Sequence, residues 1–488
     1  MLKKILMLAL AYFSCTVGAG FASGQEMLQY YAAFGTWGVA GAAVTMIVMP
    51  LTAMIAMQYG SYFQASSHDR VFTSVTSKWL ARFVDYSIMF TQFCLGFVML
   101  AGAGANLQQQ WGLAPWIGSL IMAVGVLVVS LLDVEKVTNV LGSITPFIIA
   151  LLLAAAIYTF VTMPSDFSSA AQFANDNVVS TLPNWWVSAL NYIGIALMGG
   201  ISMGIVMGGD TLNVREAGRG GAFGGLLFGT MLVIMVVAMI FNVEGVYQES
   251  LPTLAIIDQI HPWLGIFASF VIYLMIFSTA LGNIYSLGKR LTAKHPQRFL
   301  PVLVILVVVG YALSFLDFAT LVGSVFPVMG YVALVMIAVL FASWLGRGRG
   351  IVTAESRRRD KIRALVLRMV DPNEKFTTAH RRELAREIFQ SNISDTHLRE
   401  TIVADVIEEL DADDSNDFSA EDYEVDEDWI QGTYEPLRKG QVRVVDESVP
   451  VAEGEAPREP EPAEDEEEES VLVNDEGWGV VGEEEDPK

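Results

Sequence analysis

The sequence predicts an all-α integral membrane protein. Ten transmembrane helices form two inverted halves of five, helices 1 and 6 are broken, and a disordered acidic cytoplasmic tail follows. Three observations carry this prediction. There are ten apolar runs of spanning length, Lys and Arg lie on one side of them only, and glycine-rich interruptions recur in the first and sixth runs. Of the 488 residues, 53% are apolar and 17% charged, against about 25% charged in a soluble domain; the mean hydropathy is +0.45. Residues 1–350 hold 14 Lys and Arg against 13 Asp and Glu, whereas 351–488 hold 16 against 40. A nearly neutral, apolar part therefore precedes a strongly acidic one. This divides the chain into a ten-helix transmembrane domain at 1–346, a basic juxtamembrane segment with short amphipathic helices at 347–410, and the acidic tail at 411–488.

A hydrocarbon core of about 30 Å needs about 20 apolar residues per helix. The runs fall at roughly 5–34, 38–63, 80–104, 116–132, 141–162, 186–208, 221–243, 263–288, 299–316 and 319–345, and Gly, Pro and polar clusters part them. They lack the period-2 alternation of barrel strands, and lipid admits only helices or closed barrels. Pro50, Pro146 and Pro327 fall inside helices 2, 5 and 10 as kinks whose freed carbonyls neighbours can satisfy.

With the N-terminus inside, every Lys and Arg of the first 350 residues falls in an inner segment. These are Lys3 and Lys4; Arg70, Lys78 and Arg82; Lys136; Arg215 and Arg219; Lys289, Arg290, Lys294 and Arg298; and Arg347 and Arg349. The outer connections, including 105–115, 163–185 and 244–262, hold none. This is the positive-inside pattern. It predicts an even helix count, both termini in the cytoplasm, and residence in the cytoplasmic (inner) membrane, with the lipid bilayer as the principal partner.

The first run is too long for one straight crossing. Its middle reads Val17-Gly-Ala-Gly-Phe-Ala-Ser-Gly-Gln-Glu26. Glycine weakens a helix by about 1 kcal/mol per residue, and polar Ser23, Gln25 and Glu26 follow at once. The sixth run repeats the feature with Met198-Gly-Gly-Ile-Ser-Met-Gly204 and Gly208-Gly-Asp210. One reading is close helix packing through small residues. The other is a pair of broken helices lining a cavity. The ionisable Glu26 favours the second, since such a residue at membrane depth is costly and usually functional. Interrupted segments at matching places of two five-helix halves predict inverted repeats, with the solute site where the breaks meet.

These residues carry a resemblance. The 5+5 pattern resembles the LeuT-type fold of the amino acid–polyamine–organocation superfamily. Gly18-Ala-Gly-Phe-Ala-Ser-Gly-Gln-Glu26, Leu251-Pro-Thr-Leu-Ala-Ile-Ile-Asp-Gln-Ile-His-Pro262 and Phe277-Ser-Thr-Ala-Leu-Gly-Asn283 resemble the YkvI-type bacterial membrane proteins over about residues 1–346. The resemblance implies a secondary transporter. It implies a sodium site between helices 1 and 8, with carbonyls from Ser14, Val17 and Met275 and hydroxyls from Ser278 and Thr279; the alternative for the last two is bonding within their own helix. It also implies that the N–H groups of Ala19, Gly20 and Phe21 meet a solute carboxylate. Gly200, Ile201 and Ser202 would face the rest of the solute, Gln92 would line the site, and Glu26 would couple or gate. Segment 141–162 has no Lys, Arg or His to replace the cation, which favours sodium over a proton gradient.

The remaining features are plainer. Cys15 and Cys94 both lie in apolar runs, as small core residues. Asp85 is expected to pair with Arg82 or another inner basic residue, and Asp133, Glu135 and Lys136 to sit together in an inner loop. The cluster Arg357–Arg363 suits anionic headgroups. Residues 377–410 read as two short amphipathic helices, too small for a sizeable core. The acidic remainder reads as disordered, and a cytoplasmic protein partner of the tail is one use for it. No phosphate loop, His/Cys metal spacing or nucleophile triad appears in the sequence, so an enzyme is not expected. The acidic balance argues against nucleic acid. The function expected is secondary transport of a small solute, an amino acid or related compound, with sodium as coupling ion and no other cofactor. The alternative is a transporter-derived sensor or scaffold signalling through its tail.

Overall fold

The computed structural model describes residues 2–131, 145–162, 166–371, 374–393, 395–411, 434–438 and 441–444. The inner loop with Asp133, Glu135 and Lys136, and most of the acidic tail, lie outside the described residues. The chain divides into two units, Met1–Arg349 and Gly350–Lys488.

Unit 1 is helical throughout its described residues. In order it contains α1 (Leu2–Thr16), α2 (Ala19–Ser23), α3 (Gln25–Tyr30), α4 (Thr36–Phe63), α5 (His68–Val75), α6 (Lys78–Trp111), α7 (Pro115–Ser130), α8 (Thr145–Thr162) and α9 (Phe167–Asn177). It continues with α10 (Trp185–Gly209), α11 (Val214–Phe241), α12 (Val243–Val246), α13 (Pro252–Ile260), α14 (Pro262–Leu291), α15 (Phe299–Leu313) and α16 (Phe318–Ser343). Eight helices among the described residues are long and apolar enough to cross a membrane. The apolar α7 is shorter, at 16 residues. Many apolar side chains point outward, such as Ile47, Val124, Ile157, Phe270 and Ile305, as expected where lipid and not water is the surrounding solvent.

The packing sorts the long helices into two sets. The helices α1, α4, α10 and α11 pack on one another, as do α6, α7, α14 and α15; contacts between the sets run mainly through α16, α8, α5 and α2.

The first apolar run is broken where its glycines stand. Helix α1 stops at Thr16, and Gly18 turns its N–H back to the Thr16 carbonyl at 2.9 Å instead of bonding Ser14. After five residues of α2, Gly24 adopts φ +83° and starts α3. That conformation favours glycine, and a Cβ there would also press on Thr253 and Met239.

The expected break in helix 6 is corrected. Trp185–Gly209 runs as one helix of 25 residues through all of its glycines. The physical reason is packing. A Cβ at Gly200 would meet Thr16 Cγ2 at 2.9 Å and the Tyr12 hydroxyl at 3.0 Å, one at Gly204 would meet the Tyr12 ring at 3.1 Å, and one at Gly208 would meet the Met57 backbone. Spaced four apart, these three glycines form a groove that admits α1 and α4, which is the close-packing role of small residues in membrane helices.

Unit 2 contains α17 (Arg349–Val370), which starts at the last residue of unit 1, α18 (Thr378–Phe389) and α19 (Asp395–Asp411). Val352, Ile362, Leu365, Val366, Leu384, Ile388, Leu398, Ile402 and Val406 are buried, so three helices make the core that two could not. The basic cluster expected at headgroups is partly spent inside this unit. Arg359 is buried and bonds Glu355 at 3.1 Å, and Arg358 also pairs with Glu355. In the tail expected to be disordered, the described residues form two short antiparallel strands, β1 (Tyr434–Arg438) and β2 (Gln441–Val444).

Candidate functional site

The break in the first run is followed at once by three buried polar residues, Ser23, Gln25 and Glu26. Val17, Ala19, Gly20 and Phe21 are buried, and Ser14 half-buried. The first bond of α2 is from the Ala22 N–H to the Gly18 carbonyl, 3.0 Å. The N–H groups of Ala19, Gly20 and Phe21 precede it and have no acceptor within the helix. Ser23 closes the short helix by donating its hydroxyl to the Gly20 carbonyl at 2.7 Å. Phe21 packs on Phe228 of α11, ring centroids 5.1 Å apart.

Glu26 folds back over this turn. Its carboxyl lies against Gly20, where a Cβ would collide with it, so the missing side chain at 20 is what makes room for the carboxyl. The residue is 8% exposed. Tyr192 of α10 hydrogen-bonds the carboxyl, and the rings of Tyr30 and Tyr31 lie 5.7 and 5.1 Å from that of Tyr192. The Tyr31 hydroxyl is shared with Thr45 at 2.7 Å, while the Tyr30 hydroxyl is buried without a partner. Among the described residues no Lys, Arg or His forms an ion pair with Glu26. A buried carboxylate without a compensating charge is strongly disfavoured.

The other expected site residues divide. Helix α14 packs on α2, which brings the element bearing Met275, Ser278 and Thr279 onto the one bearing Ala19, Gly20 and Phe21. Ser278 and Thr279 are half-buried and do not bond back within their helix, unlike Thr16, Thr45, Ser87 and Thr292. Their hydroxyls, and the Ser14 carbonyl released by the turn of Gly18, are the kind of oxygen donors an alkali cation takes. No side-chain bond among the described residues joins Ser14 or Val17 to Ser278 or Thr279. On α6, Thr91 Oγ1 and Gln92 Oε1 are buried without hydrogen-bond partners.

Gly200, Ile201 and Ser202 fit their expected role least well. Their backbone lies inside the unbroken α10, Gly200 faces Tyr12 and Thr16, and Ile201 is fully buried. Ser202 shares a hydrogen bond with His68 Nδ1 at 2.8 Å.

That bond belongs to a second polar cluster. His68 Nε2 and Arg290 both lie near Asp69 Oδ1, at 2.9 and 3.0 Å, and Arg290 also pairs with Asp85. Asp85 thus finds another inner basic residue in place of its neighbour Arg82. The hydrogen bond from His68, helped by Arg290, holds the Asp69 carboxyl below the usual carboxylate range. Sequence reasoning missed the tyrosines around Glu26 and the role of His68. The Tyr30-Tyr31 pair four residues past Glu26 was the available signal for the first; nothing local marks the second.

No family model matches the chain. It is similar to the uncharacterized membrane protein YkvI of Bacillus subtilis (strain 168), 24% identical over 347 residues, covering 70% of this chain and 97% of that protein. It is likewise similar to the uncharacterized protein YyaD of the same organism, 25% identical over 327 residues, 66% of this chain and 92% of the other. The resemblance to the YkvI-type proteins is therefore borne out, over nearly the whole length of that protein. Among solved structures, MhsT in complex with L-phenylalanine has a TM-score of 0.48 at 15% identity, covering 82% of this chain and 97% of that one. Mhp1, a nucleobase-cation-symport-1 family transporter in a closed conformation with bromovinylhydantoin bound, has 0.39 at 14%, covering 82% and 93%. The manganese transporter of Eremococcus coleocola has 0.42 at 12%, covering 83% and 93%.

Proposed function

We propose that the chain is a secondary transporter moving a small solute, an amino acid or related compound, across the cytoplasmic membrane. The observation that carries this reading is the broken first helix, whose first N–H groups at Ala19, Gly20 and Phe21 have no acceptor within the helix, with the buried Glu26 carboxyl folded over Gly20. Irregular backbone at membrane depth is tolerated where protein buries it or where it lines a cavity, and in transporters such breaks form the solute site. An anionic group on the solute would meet those N–H groups within reach of the Glu26 carboxyl. Two negative charges there repel, so the solute enters together with a proton or a cation. This is the physical content of symport.

The coupling ion we assign is sodium, held by the carbonyls of Ser14, Val17 and Met275 and the hydroxyls of Ser278 and Thr279. Glu26 favours the proton reading as the alternative. In this proposal the ten helices form 5+5 inverted repeats with both termini cytoplasmic; the repeat relation does not require a break in the second half. Purified protein in proteoliposomes tests the function, with a panel of amino acids and imposed sodium or proton gradients. Accumulation that needs one of the gradients supports it; no gradient-dependent uptake of any member counts against it.

A further inference from the structure

We propose that His68, Asp69, Asp85, Ser202 and Arg290 form a cytoplasmic latch that holds the two helix sets closed on the inner side. The inference rests on the transporter reading above and goes beyond it by naming the closure. Ser202 stands on α10, in the first set. Asp85 on α6 and Arg290 on α14 stand in the second. Helix α5 touches α4, α6 and α10, and its first two residues carry the bonds to both sides. His68 reaches Ser202 through Nδ1 at 2.8 Å. Asp69 receives Arg290 at 3.0 Å, and the same guanidinium takes Asp85 and approaches His68 Nε2 at 3.4 Å. A continuous polar thread therefore crosses from one set to the other.

Arginine suits the centre of this thread. Its fork of donors serves two carboxylates at once, and its side chain is 24% exposed, so water screens it incompletely. His68, Asp69 and Asp85 offer ligand atoms within 4.8 Å of one another, and Arg290 supplies the positive charge that this group needs. Without Arg290 the carboxylates of Asp69 on α5 and Asp85 on α6 repel each other. Asp85 and Arg290 stand in one set, so the latch opens by parting Asp69 from Arg290 or His68 from Ser202, and solute or ion binding at the break drives this by moving α10.

Hydrogen exchange on the full chain in nanodiscs, read by mass spectrometry, tests this without any solute. Arg290→Ala is expected to speed exchange roughly threefold, as loss of a partly exposed ion pair does, in α5 and in the 202–209 end of α10. Residues 252–260, which the charge pattern puts on the opposite face, should stay unchanged. The swapped pair Asp85→Arg with Arg290→Asp should restore slow exchange. Unchanged exchange in Arg290→Ala, an equal rise in all regions, or failure of the swap to restore it would overturn the latch. Because no solute enters, the two proposals fail separately. Faster exchange at α5 in a chain that transports nothing removes the transport reading alone; unchanged exchange in a chain that transports removes the latch alone.

Discussion

Glu26 is held by two neighbours of opposite character. Gly20 gives it room, and the Tyr192 hydroxyl gives it a hydrogen bond. Glu26→Gln keeps the volume and the bond to Tyr192 but removes the charge. We expect gradient-driven accumulation to fall at least about tenfold, the scale of one charge-assisted interaction. Solute exchange without a gradient should persist, and thermal stability should be unchanged or raised, because a buried uncompensated charge is gone. Proteoliposome uptake and counterflow, measured side by side, separate these effects. Gly20→Ala drives a methyl group into the Glu26 carboxyl and should abolish ligand-induced thermal stabilisation by the transported solute. A wild-type shift in that variant would move the site elsewhere. For the assigned ion, Ser278→Ala with Thr279→Ala should raise the sodium concentration for half-maximal uptake, read from a sodium titration of the same proteoliposomes.

At the scale of elements, two glycine-rich runs with similar composition fold differently. In the first, Gly18 and Gly24 take the chain through two turns within seven residues, and no neighbour fills the space beside Gly18. In the sixth, Gly200, Gly204 and Gly208 face Tyr12 and Met57 at contact distance, and the helix stays whole. Gly200→Val or Gly204→Val is therefore expected to destabilise by about 1–3 kcal/mol, as overpacking does, and to lower the melting temperature and folded yield before it touches solute affinity. The sequence made the long helices legible, because runs such as 221–243 and 263–288 are apolar for their full length. It also marked Glu26 as unusual. It could not tell a glycine that turns the chain from one that admits a neighbour, since that depends on what packs opposite. The tyrosine shell of Glu26 was hidden for the same reason, with Tyr192 arriving from a helix more than 160 positions away. His68, near the end of a polar loop, carried no local sign of its bond to Ser202.

The whole molecule is a membrane unit followed by a second unit whose described residues are mainly helical and have a buried core of their own. Reporter fusions after Asp69 should read inside, and fusions after Gly112 or Ala171 outside; an outside signal after Asp69 would overturn the orientation. In the second unit, Glu355 is 2% exposed and accepts from both Arg358 and Arg359. Glu355→Ala removes the carboxylate partner of the buried Arg359, which keeps its bond to Asn392, so the change costs less than the about 3–5 kcal/mol of a fully broken buried pair. Limited proteolysis of the full chain should then cut within 350–411 much faster than in the wild type, while the first 349 residues stay resistant. Similar cleavage rates in the two proteins would mean that the pair contributes little.

Helix α7 sets a condition on the surroundings. At 1.5 Å per residue its 16 residues rise about 24 Å, some 6 Å short of an average hydrocarbon core. Trp111 and Trp116, both about half exposed, stand at its N-terminal end, and tryptophans favour the headgroup level. Thinning of the lipid beside the described turns of α7 is one way to meet that difference, at a cost of a fraction of a kcal/mol for each ångström of mismatch. The protein should therefore be selective among bilayers by acyl-chain length. Short-chain phospholipids would gather along α7, and turnover in vesicles would decline as the chains are lengthened, with no change in any residue that touches the solute.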